Sequence, residues 1–215
     1  MKVLFASFFF LLSFSGFAQL TNLQDIGNGA PLMAKYPGIS GSPLVGDFTD
    51  GKIFFNEREF YEGKLALNGY ENRVEYMYQG ERFYFEPKEI SYFVIFENNR
   101  ERVFKKSDAL IKGKTVFYEE LKGKDDLILA KLYSVSVGND PTSSSYGSDR
   151  GKAFLPSEEL YLCSQGTCKI VKNEKQLGDV LSEPLLSEAL AVIKAEKLKL
   201  KKEEDWLRLM DRLIK

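Results

Sequence analysis

Residues 73–86 read RVEYMYQGERFYFE. Val74, Tyr76 and Tyr78 alternate with Arg73, Glu75 and Met77, a period of two that belongs to a strand half buried against a core. ERFYFE resumes the alternation after Gln79-Gly80, and two residues ending in glycine accept the positive φ that a tight hairpin needs. The stretch therefore reads as two antiparallel strands, 73–78 and 81–86, joined by a short turn.

The same grammar extends in both directions. Upstream, KIFF (52–55) and FYEGKLAL (60–67) read as strands, with a turn at Asn68-Gly69. Downstream, SYFVIFE (91–97) and ERVFKK (101–106) flank Asn98-Asn99-Arg100. TVFYEEL (115–121) and DLILAKLYSVSV (126–137) follow, and a last hairpin pairs ELYLC (159–163) with CKIV (168–171) across Ser164–Thr167. SYFVIF and the first half of DLILAKL are apolar on both faces, so something must cover the outer side of the sheet there. Seventeen Phe and eleven Tyr accompany one Trp. Aromatics suit a pleated, half-buried surface, so they are read as core and cross-strand pairs rather than as a stacking platform.

The period changes to a helical one from Asn173. NEKQLGDVL (173–181) predicts a short helix. Ser182 resembles an N-cap, with Pro184 in the first turn, where its missing N–H costs nothing. Leu186, Ala189, Leu190 and Ile193 form one apolar stripe, and Trp206, Leu209, Met210 and Leu213 a second. KLKLKKEE between them fits a helical stripe poorly, which places a break near Lys199. Glu203, Glu204 and Asp205 then suit the positive end of the last helix. The fold expected is mainly β: an antiparallel meander, curled or barrel-like, with two or three C-terminal α-helices packed on it.

The organisation around this domain is read as follows. Residues 1–18, MKVLFASFFFLLSFSGFA, have a positive n-region, a short apolar run, and Gly16 and Ala18 at −3 and −1, the pattern of a cleaved signal peptide. Export follows as an expectation, to the periplasm or the cell surface or medium, after cleavage near Ala18-Gln19. The mature chain holds no transmembrane span. Residues 19–50, punctuated by NGAP, YPG and GSP, read as an irregular leader. Residues 51–171 form the β-meander domain, interrupted by a polar flexible loop at 138–152, and 172–215 the helical segment.

Composition excludes several chemistries. The chain of 215 residues contains no His, which removes Ser-His-Asp and Cys-His catalysis and the commonest transition-metal ligand. A formal charge of −1 gives no electrostatic footprint for nucleic acid. Gly113-Lys114-Thr115 lacks the upstream glycine of a phosphate-binding loop, since Asp108 stands in its place. Gly38-Ile39-Ser40-Gly41 resembles part of a nucleophile elbow, but Ser42 follows where the second glycine is needed. The strand carboxylates Glu57, Glu59, Glu62, Glu75, Glu81 and Glu86 read as a solvated face, and no catalytic pair, cofactor or metal site is assigned. Cys163 and Cys168, the only cysteines, flank one turn of an exported chain and are read as a disulfide.

Four features together resemble a group of exported proteins from Bacteroidota-type bacteria. They are the signal peptide ending in Ala18-Gln19, GSPLVGDFTDGKIFF (41–55), EGKLALNGYENRVEYMYQGERFYFEPKEISYFVI (62–95) and the tail KLKLKKEEDWLRLMDRL (197–213). The resemblance implies an all-β meander with C-terminal helices in the cell envelope and carries over no activity or catalytic residue. The expectation is a non-enzymatic binding module whose partner is an envelope protein, a glycan or a small apolar ligand. A barrel-like carrier of a small apolar ligand is the alternative, and a carboxylate-dependent hydrolase the third reading.

Overall fold

The computed structural model describes residues 36–141 and 151–214, together with the backbone of Ala30 and Pro31. The signal-peptide expectation, most of the leader before Tyr36 and residues 142–150 of the loop lie outside the described residues.

Twelve strands form a single curled sheet. They are β1 (Ala30–Pro31), β2 (Ile39–Ser40), β3 (Leu44–Phe54), β4 (Phe60–Asn68), β5 (Arg73–Tyr78), β6 (Glu81–Phe85), β7 (Tyr92–Glu97), β8 (Arg100–Ile111), β9 (Lys114–Lys124), β10 (Leu127–Asn139), β11 (Lys152–Ser164) and β12 (Thr167–Ile170). The spatial order is β1-β6-β5-β4-β3-β7-β8-β9-β10-β11-β12, and β2 pairs with β11. All pairings are antiparallel except the parallel β2–β11 pair. The order departs from a plain meander where β1 joins β6, where β2 joins β11, and where after β6 the chain returns past β5 and β4 to lay β7 beside β3.

Hairpin turns set the registers. Gln79-Gly80, Asn98-Asn99 and Gln165-Gly166 all hold both central residues at positive φ, the twist that matches right-handed strands. Two of these turns are tighter than the sequence reading, because Arg100 belongs to β8, and Ser164 and Thr167 to the strands. Several strands are also longer than read, up to 13 residues in β10 and β11. The leader expected over 19–50 ends earlier, since β3 begins at Leu44, and the shift in its pairing with β4 sets Gly46–Phe48 opposite the single residue Ala66. The flexible loop of 138–152 shrinks likewise, as Gly138, Asn139 and Lys152 pair in β10–β11.

Two curls of the sheet have opposite insides. In the first, Ile53, Leu65, Val74, Phe93, Phe104 and Phe117 pack together, and Tyr133 of β10 joins them. Phe93 and Phe104 stack with centroids 4.6 Å apart, and Phe117 meets Phe93 edge-on at 5.0 Å. Such pairs add roughly 0.5–1.5 kcal/mol each beyond the area they bury. In the second, the other face of β8–β12 closes around Leu110, Val116, Tyr118, Leu132 and Tyr161. The turn between β4 and β5 caps the first curl. Gly69 accepts a hydrogen bond from Val135 N (3.1 Å), and Asn72 bridges to β9 through Thr115 O (3.2 Å) and Phe117 N (3.0 Å). Gly51 is dictated by packing: a Cβ there would stand 2.4 Å from the Val94 carbonyl oxygen.

Three helices cover the free side of β10 and β11. They are a 3-10 helix (Glu174–Asp179), α1 (Leu185–Glu196) and α2 (Glu203–Leu213). The stretch read as a helix over 173–181 is thus a shorter 3-10 turn, capped by the Asn173 side chain, which accepts from Lys175 N. Ser182 does not cap α1: Pro184 itself occupies the N-cap, after a cis peptide bond, and the Glu183 carboxylate accepts from Ser187 N in the first turn at 3.3 Å. Leu190 is also misplaced in the expected stripe. It is exposed, while Ala189 and Ile193 are buried beside Leu129, Leu162, Trp206 and Leu209. The break near Lys199 stands, with Lys197 in the left-handed conformation ending α1 and three acidic residues opening α2. No helix among the described residues is long and apolar enough to cross a membrane.

Candidate binding clefts and the buried ionic groups

Carboxylates read from the sequence as solvated prove to be of two kinds. Glu62 sits on the surface with Lys52. Glu75, by contrast, is completely buried. It accepts from Asn68 Nδ2 at 2.6 Å and from Arg73 Nε and Nη2 at 3.4 Å, and it pairs with Arg82. The face of β5 that carries Arg73 and Glu75 is covered because Arg73 lies 4.0 Å over the Tyr84 ring and Arg82 lies over Phe48. Alternation in β5 therefore marks two buried faces, one apolar and one ionic.

Glu119 of β9 forms a second buried network. It accepts from Arg102 Nη2 (3.0 Å) and Nε (3.2 Å) and from the Tyr133 hydroxyl (2.5 Å). Arg102 also reaches Glu97 at 2.9 Å. Burial pulls the Arg102 guanidinium down, but the hydrogen bonds and charge of Glu119 outweigh it and hold the group above its ordinary range. Burial and then Glu119 push the Tyr133 phenol well above its usual value. Lys131, next on the same face, ties β10 to Glu158 of β11 (3.1 Å) and to Glu203 of α2 (2.5 Å). These side chains form a polar seam between the first curl and the helical layer. Isolated buried charges are costly and persist only when paired in this way.

Among the described residues, ligand-sized clefts open on the outside. One cleft of about 450 Å³ opens at the rim of the first curl, between the Gly69–Asn72 turn, Glu86-Pro87, Lys114–Val116 and Leu132–Val135. Tyr70, one of the large hydrophobic side chains left exposed, stands at its edge. Tyr36 and Phe154 meet Tyr70 edge-on at 5.7 and 5.5 Å. Tyr36 donates to Glu71 at 2.6 Å, and burial, reinforced by that bond, raises its pKa to about 12. Burial also raises the Glu86 carboxyl above the usual range, against the opposing charge of Arg73. The cleft combines an aromatic edge, carboxylates, an amide and a lysine, a mixture that can hydrogen-bond and stack but lacks a nucleophile held against a base.

Two further clefts flank the helices. One of about 640 Å³ lies between the 3-10 helix and the α1–α2 linker, and its neighbour of about 450 Å³ runs towards Glu158, Glu159 and Trp206.

The motifs set aside in the sequence have structural roles. Gly113 turns the β8–β9 hairpin at positive φ, and Thr115 donates to Asp108 at 2.5 Å. Ser40 donates to Asp140 (3.0 Å) and to Lys152 O (3.2 Å), fastening β2 to β11. Cys163 and Cys168 are directly opposed in β11–β12 with sulfurs 2.04 Å apart. No group of three or more metal-ligating side chains is found among the described residues. Arg102, Glu119 and Tyr133 escaped the sequence reading because they lie on three different strands. KLKLKK was the one available signal for the helix-side cleft, since its period of two placed every second residue outward. Comparison with models of protein families, with curated proteins and with solved structures finds no match.

Proposed function

We propose that this chain is a non-enzymatic binding module of the cell envelope, exported by the signal peptide that ends near Ala18-Gln19, which contacts a protein or a surface glycan through its rim cleft. One observation carries the reading: ligand-sized space lies on the surface, while the inside of the first curl is taken up by Phe93, Phe104, Phe117 and their neighbours. That packing weighs against the carrier of a small apolar ligand, which needs an interior cavity. The buried carboxylates Glu75 and Glu119 are each engaged by arginines, which favours binding over hydrolysis. Tyr70 is the anchor of the proposed contact, since exposed aromatic rings beside polar groups dominate recognition surfaces.

The test is crosslinking capture with the mature protein in its own envelope fraction, alongside native mass spectrometry of the purified chain. A specific partner or a retained glycan mass is expected, reduced at least tenfold by Tyr70→Ala together with Lys114→Glu. Capture that is absent, or indifferent to these substitutions, would remove the rim cleft from consideration.

A further inference from the structure

The cleft of about 640 Å³ is lined by Lys172, Lys175, Lys199 and Lys201, against a single acidic side chain, Glu174. Elsewhere, Lys52, Lys64, Lys105, Lys122, Lys131 and Lys169 have carboxylates within 4.0 Å. None of the four cleft lysines has such a partner among the described residues, and all four are exposed.

Their backbone is fixed before any ligand arrives. Leu198 and Leu200 point into the core, so Lys199 and Lys201 face the cleft. Trp206 Nε1 donates to Leu200 O at 2.9 Å, and Asp205 accepts from Lys199 N at 2.8 Å. On the opposite wall Gln176 accepts from Lys172 N at 2.8 Å, and Asn173 from Lys175 N at 3.1 Å. Preorganised like charges of this kind focus the field on an anion.

The shape narrows the ligand. Lys172, Leu200 and Lys201 also line the neighbouring cleft, so the two form one groove that ends at Ser157, Glu158 and Glu159. A ligand filling it needs negative charge at the lysine end and hydrogen-bond donors at the carboxylate end. A uniformly charged polyanion would meet repulsion at Glu158 and Glu159, and an acyl chain would have to lie beside them. We infer that this groove binds an anionic oligosaccharide, with carboxylate groups at the four lysines and neutral hydroxyls donating towards Glu158 and Glu159.

The probe is disialyllactose, which carries its carboxylates at one end and neutral sugars at the other, titrated calorimetrically into the mature full chain at 20 mM salt, with inorganic phosphate and phosphatidylglycerol vesicles as parallel titrants. Saturable binding of disialyllactose is expected, at least tenfold weaker for Lys199→Gln with Lys201→Gln and weakened by 300 mM salt. The control pair Lys88→Gln with Lys112→Gln, which removes the same charge elsewhere on the surface, should change it less than twofold. Tyr70→Ala should leave it untouched, which separates this site from the rim cleft. Absence of binding, or an equal loss in the control pair, overturns the site. Phosphate binding as tightly as the oligosaccharide, or capture of vesicles without the oligosaccharide, overturns the saccharide assignment.

Discussion

Glu119 of β9 ties three strands together. It joins β8 through Arg102 and β10 through Tyr133. Removing one member of a buried pair leaves the other charge without compensation, which costs about 3–5 kcal/mol. Glu119→Gln is therefore expected to lower unfolding free energy by an amount in that range, read from urea denaturation. A loss below about 1 kcal/mol would mean that Arg102 is satisfied by Glu97 alone. The disulfide makes a smaller claim. Cys163 and Cys168 are five residues apart, and closing so short a loop stabilises by about 2 kcal/mol. The double Cys→Ser variant should lose that amount, and reducing agent should bring the unaltered chain to the same midpoint. At this scale the pairing of Cys163 and Cys168 could be read from their spacing around one turn. Glu75 could not, because nothing in RVEYMY distinguishes a carboxylate facing water from one facing Asn68 and two arginines.

Elements were legible where a local rule decides them. β5 spans 73–78 as read, because its alternation and the glycine after Gln79 leave one register. Strand ends were not: β3, β8 and β11 run on through polar residues that gain ladder partners only once the sheet is assembled. Helix α1 shows the same limit. Leu190 fits the helical stripe, yet the sheet meets α1 through Ala189 and Ile193. Leu190→Lys should accordingly change stability by less than about 0.5 kcal/mol. Ile193→Ala should lose about 2–5 kcal/mol from the cavity beside Trp206 and Leu209. Equal losses for the two, measured by thermal or urea unfolding, would place the helix in a different rotation. KLKLKK failed as helix for a positive reason: it is a turned linker, closed by Lys202 N donating to Lys199 O at 3.0 Å, whose leucines fill the core and whose lysines are exposed.

Taken whole, the molecule is held by aromatic packing, and its tyrosines report on that. Burial raises the phenols of Tyr36, Tyr61, Tyr76, Tyr118, Tyr133 and Tyr161 above 10.0, those of Tyr36 and Tyr76 to about 12. A folded-state pKa above the unfolded value favours the fold while the group is neutral. The contribution is complete below pH 10, the unfolded value, and for Tyr36 and Tyr76 is lost as pH rises through about 12. Absorbance titration at about 295 nm should show these six of the eleven tyrosines ionising late in the folded protein, and all eleven together near pH 10 in urea. A single transition near pH 10 without denaturant would contradict the packing. Sequence alone determined the β class, the hairpins and the change to helix, because period and turn chemistry act between near neighbours. Only the tertiary structure decided that β7 returns to β3, that the sheet curls two ways, that Glu75 and Glu119 are buried, and that four lysines meet around one cleft. Each of those depends on contacts between residues far apart in the chain, whose distances no local pattern encodes.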